Sequence, residues 1–222
     1  IIEDEGYLDL DSCLFLDDGN NKILNLNDCH IDFSTLKEIT GDIDILLLQS
    51  SNAIWWPCVY QYDTNKKNKL AAIKRNNILK RTLKYCQVLN AKKVIPNAGP
   101  PVFLNPENII WNQNRRSESN PFVLMDDAVK YLQTNNIPAE LLLPGDRIYF
   151  DEKNKIHTFV DTQKKELVYD NYEQYIKQYE KKLKQRRKQM EKPTDNEVNT
   201  VVSKFQKQLK KIKKISKFYV DK

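Results

Sequence analysis

Short runs of alternating apolar and polar residues fill the first part of the chain, and helical spacing takes over later. Residues 13–16 and 22–26 are two apolar runs, joined by Asp17-Asp18-Gly19-Asn20-Asn21. A glycine that can take positive φ after two aspartates makes this pair a β-hairpin. A short helix is predicted near 35–39, with Asp32 or Ser34 as its N-cap. Ile43-Asp44-Ile45-Leu46-Leu47-Leu48-Gln49 is short and nearly all apolar, which suits a strand buried on both faces. A long helix fits 67–89, with Leu70, Ile73, Leu79, Leu83, Cys86 and Leu89 on one stripe and Lys/Arg opposite, closed by a left-handed Asn90. Further strands are predicted at 93–96, 140–143 and 147–150, the last pairing with 157–160. A helix is predicted at 126–134.

This alternation of strands and helices defines an α/β protein with helices packed on a sheet. The stretch 100–121 is long for a loop inside a domain, and Phe103, Ile109, Ile110 and Trp111 suggest that it is packed. Beyond it the pattern changes. Residues 172–190 and 194–219 read as two amphipathic helices, separated by Pro193 and restarted by the capping box Thr194-Asp195-Asn196-Glu197. Their apolar stripes are expected to be buried against each other or against the body. The predicted organisation is an α/β domain over 1–160 and a basic helical hairpin over 161–222.

Charge sharpens that division. Residues 151–222 carry 20 Lys/Arg against 11 Asp/Glu, a net +9, while residues 1–150 carry 16 against 19, a net −3. The body therefore offers no nucleic-acid footprint. The basic face of the tail reads as a solvated face, because the aromatics sit on the apolar side rather than among the lysines. No apolar run reaches the length of a membrane span. The sequence begins without an initiator Met, which suggests a piece of a longer protein. Cys13, Cys29, Cys58 and Cys86 show no CxxC spacing and read as free thiols in a reducing compartment, the cytoplasm.

The candidate chemistry centres on residues 22–30, Lys-Ile-Leu-Asn-Leu-Asn-Asp-Cys-His. A strand here runs straight into a polar turn and leaves Asp28 at its mouth, where α/β proteins place ligands. Asp28 can bind a metal or act as a base, or it can simply make an Asx turn. His30 is a weaker ligand candidate, since one neighbouring histidine does not make a three-ligand site. Trp55 and Trp56 suit an aromatic pocket wall or packing under a loop. Arg147, after Pro-Gly-Asp, could clamp a phosphate or carboxylate, with Arg115-Arg116 a lesser anion candidate. No nucleophile triad, GxGxxG or P-loop is present.

Taken in order, Ser12-Cys13-Leu14-Phe15-Leu16, Ile23-Leu24-Asn25-Leu26-Asn27-Asp28-Cys29, Asp42-Ile43-Asp44-Ile45-Leu46-Leu47, Ser51-Asn52-Ala53-Ile54-Trp55-Trp56, Val94-Ile95-Pro96-Asn97-Ala98-Gly99-Pro100 and Leu143-Pro144-Gly145-Asp146-Arg147 resemble the metallo-β-lactamase fold. The likeness is to the C-terminal half of its αββα sandwich, in the group related to CMP-N-acetylneuraminate hydroxylase. That resemblance implies a metal-dependent enzyme, an oxygenase or hydroxylase acting with a Rieske iron-sulfur domain, or a hydrolase. It implies a divalent metal, iron or zinc, with Asp28 as a ligand, and an iron-sulfur cluster only on a partner domain outside this chain. It further implies a small anionic or sugar-like substrate, with Trp55, Trp56, Asn97 and Arg147 shaping its pocket. The fold's His-x-His-x-Asp-His cluster does not occur here, so the resemblance places those ligands in a missing N-terminal half. The late ligand histidine of the hydrolases is also replaced, by Asn97-Ala98. A metal-free binding or scaffold module, docking a partner through the basic tail, is the rival expectation. Nucleic-acid binding through that tail is a third.

Overall fold

Backbone hydrogen bonding and apolar burial organise the chain around one mixed sheet. The computed structural model describes residues 2–3, 11–52, 54–99, 101–104, 112, 115–190 and 193–220. Five strands follow in sequence order: β1 (Ile2–Glu3), β2 (Ser12–Asp17), β3 (Lys22–Asn27), β4 (Ile45–Gln49) and β5 (Lys93–Asn97). β2 and β3 form the predicted antiparallel hairpin, and β3, β4 and β5 run parallel. At the hairpin turn Gly19 has φ 88°, and the Asp17 and Asp18 carboxylates accept the amides of Gly19, Asn20 and Asn21 at 2.7–2.9 Å.

Helices α1 (Phe33–Thr40), α2 (Thr64–Leu89) and α3 (Met125–Thr134) complete the core. Asp32, rather than Ser34, caps α1 by accepting the amides of Ser34 and Thr35. α2 starts three residues before the predicted position because Asp63 caps it, and Asn90 closes it at φ 48° in the left-handed region. One face of the sheet carries Leu24, Leu46 and Val94 in lateral register, all fully buried. They share a core with Leu36 of α1, Tyr85, Cys86 and Leu89 of α2, and Met125, Val129 and Leu132 of α3. Each such side chain contributes about 1.5–3 kcal/mol of burial.

Three sequence expectations are corrected here. The α2 stripe is rotated: Ile73 is exposed, whereas Arg75 is buried against Asp127 at 2.9 Å. An ion pair thus takes a place that apolar periodicity assigned to the opposite side. Residues 140–143 do not form a strand. Ala139 makes a single parallel bridge to Val94 and Leu141 turns into the core, which uses up the apolar pattern without a ladder. β6 (Arg147–Phe150) and β7 (Ile156–Phe159) pair as predicted, one residue earlier in the second strand, but as a separate two-stranded sheet. Of the loop aromatics, Phe103 packs with Cys58 and Phe122, while Ile109, Ile110 and Trp111 lie outside the described residues.

By contacts the chain divides into Ile1–Tyr172 and Glu173–Lys222. A short helix α4 (Thr162–Lys165) and a π-turn (Glu166–Asp170) precede α5 (Tyr172–Gln189). After Pro193, α6 (Asp195–Val220) opens on the predicted capping box, with the Thr194 amide donating to Glu197 at 2.8 Å. Among its described side chains the apolar stripe is not buried as expected: Val201 is 65% and Phe205 59% exposed, while in α5 Ile176 is buried and Tyr179 exposed, as is Met190 just after it. Among the described residues no helix is long and apolar enough to cross a membrane.

Two outcomes check this core. Leu46→Ala should cost about 2–5 kcal/mol, seen as a lower denaturation midpoint with an unchanged slope. All four cysteines are buried thiols outside any disulfide, and burial pushes the Cys58 thiol up to about 11 and Cys86 up to about 12. A thiol reagent at mildly alkaline pH should therefore label the native chain slowly and label four thiols once it is unfolded.

Candidate functional site at the carboxyl ends of the parallel strands

Because β3, β4 and β5 are parallel and in register, their polar exits converge on one edge. Asn27–His30 leaves β3, Ser50–Asn52 leaves β4, and Asn97–Gly99 leaves β5. The Ser50 amide donates to the Asn97 carbonyl at 3.3 Å. A Cβ on Gly99 would lie 2.4 Å from Ser51 Cβ, so the two exit loops touch backbone to side chain. The residue is glycine for that reason. Ser51 Oγ, Asn97 Oδ1 and Thr82 Oγ1 of α2 are buried here without hydrogen-bond partners. Such atoms cost free energy unless another group answers them, and three gathered near one sheet edge are unusual.

The predicted residues separate into those that this edge collects and those that it does not. Asp28 is exposed, in a turn closed by the Cys29 amide donating to Leu26 at 3.0 Å, and it accepts the Asn27 side chain at 2.8 Å. Asn27 itself sits at φ 47°. His30 is not turned to a carboxylate cluster: its Nε2 accepts Arg81 Nη1 from α2 at 2.7 Å. Asn97 ends β5 with its side-chain Oδ1 buried. Trp55 packs on Phe103, with ring centroids 4.9 Å apart, whereas Trp56 lines a groove beside the edge. Lys74 Nζ donates to the carbonyls of Ile54 and Trp56, and Lys67 Nζ to that of Cys58, so α2 clamps the tryptophan loop.

Arg147 belongs to the β6–β7 sheet, where it lines a hollow with Asp146, Ile148, Tyr149 and Phe159, none of them from the strand-end edge. Arg115 and Arg116 are engaged elsewhere. Arg115 lies over the Tyr172 ring at 3.2 Å, and Arg116 bridges Asp126 and Asp127 at 2.7 Å. His157 pairs with Asp151 at 2.9 Å and stacks on Tyr149 within the hairpin.

Two cavities adjoin the strand ends. One, lined by Asn27, His30, Gln49, Arg81 and Thr82 among others, measures about 10 Å³, room for no more than a water. The other is a groove of about 240 Å³ lined by Asn52, Trp56, Ile73, Lys74, Asn77, Ile78 and Arg81. Lys74 and Arg81 belong to the Lys/Arg side that the sequence pattern places opposite the apolar stripe. Among the described residues no three His, Cys, Asp or Glu side chains come together as a metal site.

No family model matches the chain, and no solved structure matches it. Over 140 residues, 61% of the chain, it is 34% identical to proteins named "Putative Rieske 2Fe-2S iron-sulfur protein" in two strains of Mycobacterium tuberculosis, CDC 1551/Oshkosh and ATCC 25618/H37Rv; the match covers 27% of each. A protein of the same description in Mycolicibacterium smegmatis is 33% identical over 140 residues, 26% of its length. The chain thus spans about a quarter of the length of the curated relatives it matches.

The Gly99–Ser51 approach gives the edge its own test. Gly99→Ala should destabilise by about 1–3 kcal/mol through overpacking, and adding Ser51→Gly should recover most of that loss in thermal melts. Additive losses in the double variant would show that the two loops do not meet.

Proposed function

We propose that this chain is one part of a Rieske-associated, metal-dependent oxidoreductase, contributing the C-terminal half of a metallo-β-lactamase-like αββα sandwich. The observation that carries the proposal is the convergence of Asp28, Ser51 and Asn97 at the carboxyl ends of three parallel strands, beside a groove. The names of the mycobacterial relatives support the iron-sulfur association. A Rieske centre needs two histidines and two cysteines on one cluster. His30 and His157 stand in different sheets' surroundings with other partners, so the cluster belongs to a segment outside this chain.

The second face of the sheet supports a missing half. On this face Ile45 and Ile95 are buried, whereas Leu14 and Leu16 of β2, in register with Asn25 and Ile23, are 44% and 50% exposed and Leu47 is half-buried, so the uncovered part is its β2 side. Asn25 Oδ1 on the same face is buried without a partner. Apolar sheet faces are stable when another layer covers them, and a second sheet is the layer that a sandwich supplies.

On this reading Asp28 offers one carboxylate to a divalent metal, iron or zinc, whose remaining ligands come from the missing half. When bound, that metal would supply Lewis-acid or redox chemistry. This chain's residues would position a small anionic or sugar-like substrate: Trp56 as a wall of the groove and Asn97 at the strand exit. Arg147 serves the hairpin hollow instead of this edge.

A second reading has one observation in its favour. The exposed stripe of α6, Val198, Val201, Val202, Phe205 and Leu209, opposite its lysines, suits a scaffold module that docks a partner through the tail. Metal analysis of the full-length protein separates the two. Expected for the enzyme is one metal beyond the cluster iron, lost in Asp28→Ala while the visible spectrum of the cluster persists. A protein with no such metal, or an Asp28→Ala variant that keeps it, sinks the enzyme reading.

A further inference from the structure

α2 concentrates charge in an otherwise mildly acidic body. Between Thr64 and Leu89 it holds eight Lys/Arg and no Asp or Glu. Like charges at i, i+4, such as Lys80 and Lys84, weaken a helix rather than support it. Something other than helix stability is served by that composition.

The cations of α2 differ in how they are neutralised. Arg75, the most buried, reaches the Asp127 carboxylate at 2.9 Å. Arg81 and Lys74 are partly buried and line the groove, yet among the described residues neither has a carboxylate within 4 Å. Arg81 donates to the imidazole of His30, which accepts one hydrogen bond and brings no negative charge. A guanidinium has five N–H donors, so most of its fork remains to be used. Lys74 spends two donors on the carbonyls of Ile54 and Trp56 and keeps a third. Burial pulls both groups below their ordinary pKa values, the sign of cations taken from water without a countercharge.

The surrounding side chains fit a ligand rather than bulk solvent. Asn52 is anchored through its amide nitrogen to the Pro121 carbonyl at 2.5 Å, and Asn77 faces the groove from the next turn of α2 before Arg81. Trp56 forms an aromatic wall with Lys74 Nζ 5.8 Å from its ring centroid. A volume of about 240 Å³ admits a small anionic group and its immediate attachment. A planar fork opposite a point charge matches the geometry of a carboxylate or phosphate.

We propose that the groove between α2 and the loop leaving β4, with Arg81 and Lys74 as its cations and Trp56, Asn52 and Asn77 as its walls, is an oxyanion-binding site. It receives the carboxylate or phosphate of a small ligand, with Arg81 supplying the two-point contact. The site needs no metal, and it stands whether or not Asp28 is a ligand.

The test titrates the 222-residue chain, stripped of metal by a chelator, with inorganic phosphate and separately with acetate at constant ionic strength, following tryptophan fluorescence. Expected is a saturable change with at least one anion, absent in Trp56→Phe. Arg81→Gln should weaken binding at least about tenfold, roughly 1.4 kcal/mol, while the exposed Lys80→Gln on the same helix should leave it unchanged. A response to acetate identifies a carboxylate site, and one to phosphate a phosphate site. If Arg81→Gln does not fold, Arg81→Lys keeps the charge without the fork and should also weaken binding about tenfold. No saturable response to either anion, or equal binding by the Arg81 and Lys80 variants, overturns the proposal. Failure here leaves the metal analysis of Asp28 untouched, so the two results are separable.

Discussion

The lateral row Leu24–Leu46–Val94 is the constraint on which the rest depends. A strand has a side-chain period of two, so a one-residue slip anywhere in β3, β4 or β5 would turn a fully buried residue to the other face. With that register fixed, three parallel strands must end at the same edge. The polar exits at Asn27–His30, Ser50–Asn52 and Asn97–Gly99 are gathered by core packing, not by any attraction among themselves. The 2.4 Å approach that a Gly99 Cβ would make to Ser51 is a direct consequence of the register.

The same packing fixes the orientation of α2. Tyr85, Cys86 and Leu89 hold its C-terminal half on the sheet, and Tyr85 also donates its hydroxyl to the Ile31 carbonyl at 2.7 Å, tying the helix to the segment after β3. Once that face is committed, helical geometry sends Lys74, Asn77 and Arg81 along one side, at spacings of three and four residues. Arg81 then meets His30. A histidine that the sequence offered as a weak metal ligand is placed, by the helix opposite, as an acceptor for a guanidinium.

Much of the sheet was legible because its signals are local. Gly19 after two aspartates, the apolar run Ile45–Leu48, Asn90 after the long helix, and Thr194 with Glu197 each depend on neighbours in sequence. The expectations that failed required knowing a distant partner. Arg75 is buried because Asp127, 52 residues away, receives it. Residues 140–143 lose their ladder because Leu141 is drawn into the core. The Arg81–His30 pair spans 51 residues, and a basic helix face opposite an apolar stripe is ordinarily solvated. One compositional clue was available: eight cations without a single carboxylate in one helix, inside a body whose net charge is negative.

On the proposed reading, Asp28 and the β2 side of the second sheet face point to the same missing layer from two directions. A carboxylate at a strand mouth whose hydrogen bonds come from its own turn contributes little to holding strands together, since those bonds are local and exposed. Leu14 and Leu16 of β2, half in water, likewise add little to the core formed by Leu24, Leu46 and Val94 on the other side of the sheet. Both features gain a physical purpose if a further layer is laid on that face. The layer would remove the leucines from water, and it would bring donors to the edge where Asp28 stands. The groove differs in kind, because its walls and both of its cations belong to this chain. On the proposed readings, anion recognition is complete in a segment that supplies only part of a metal site.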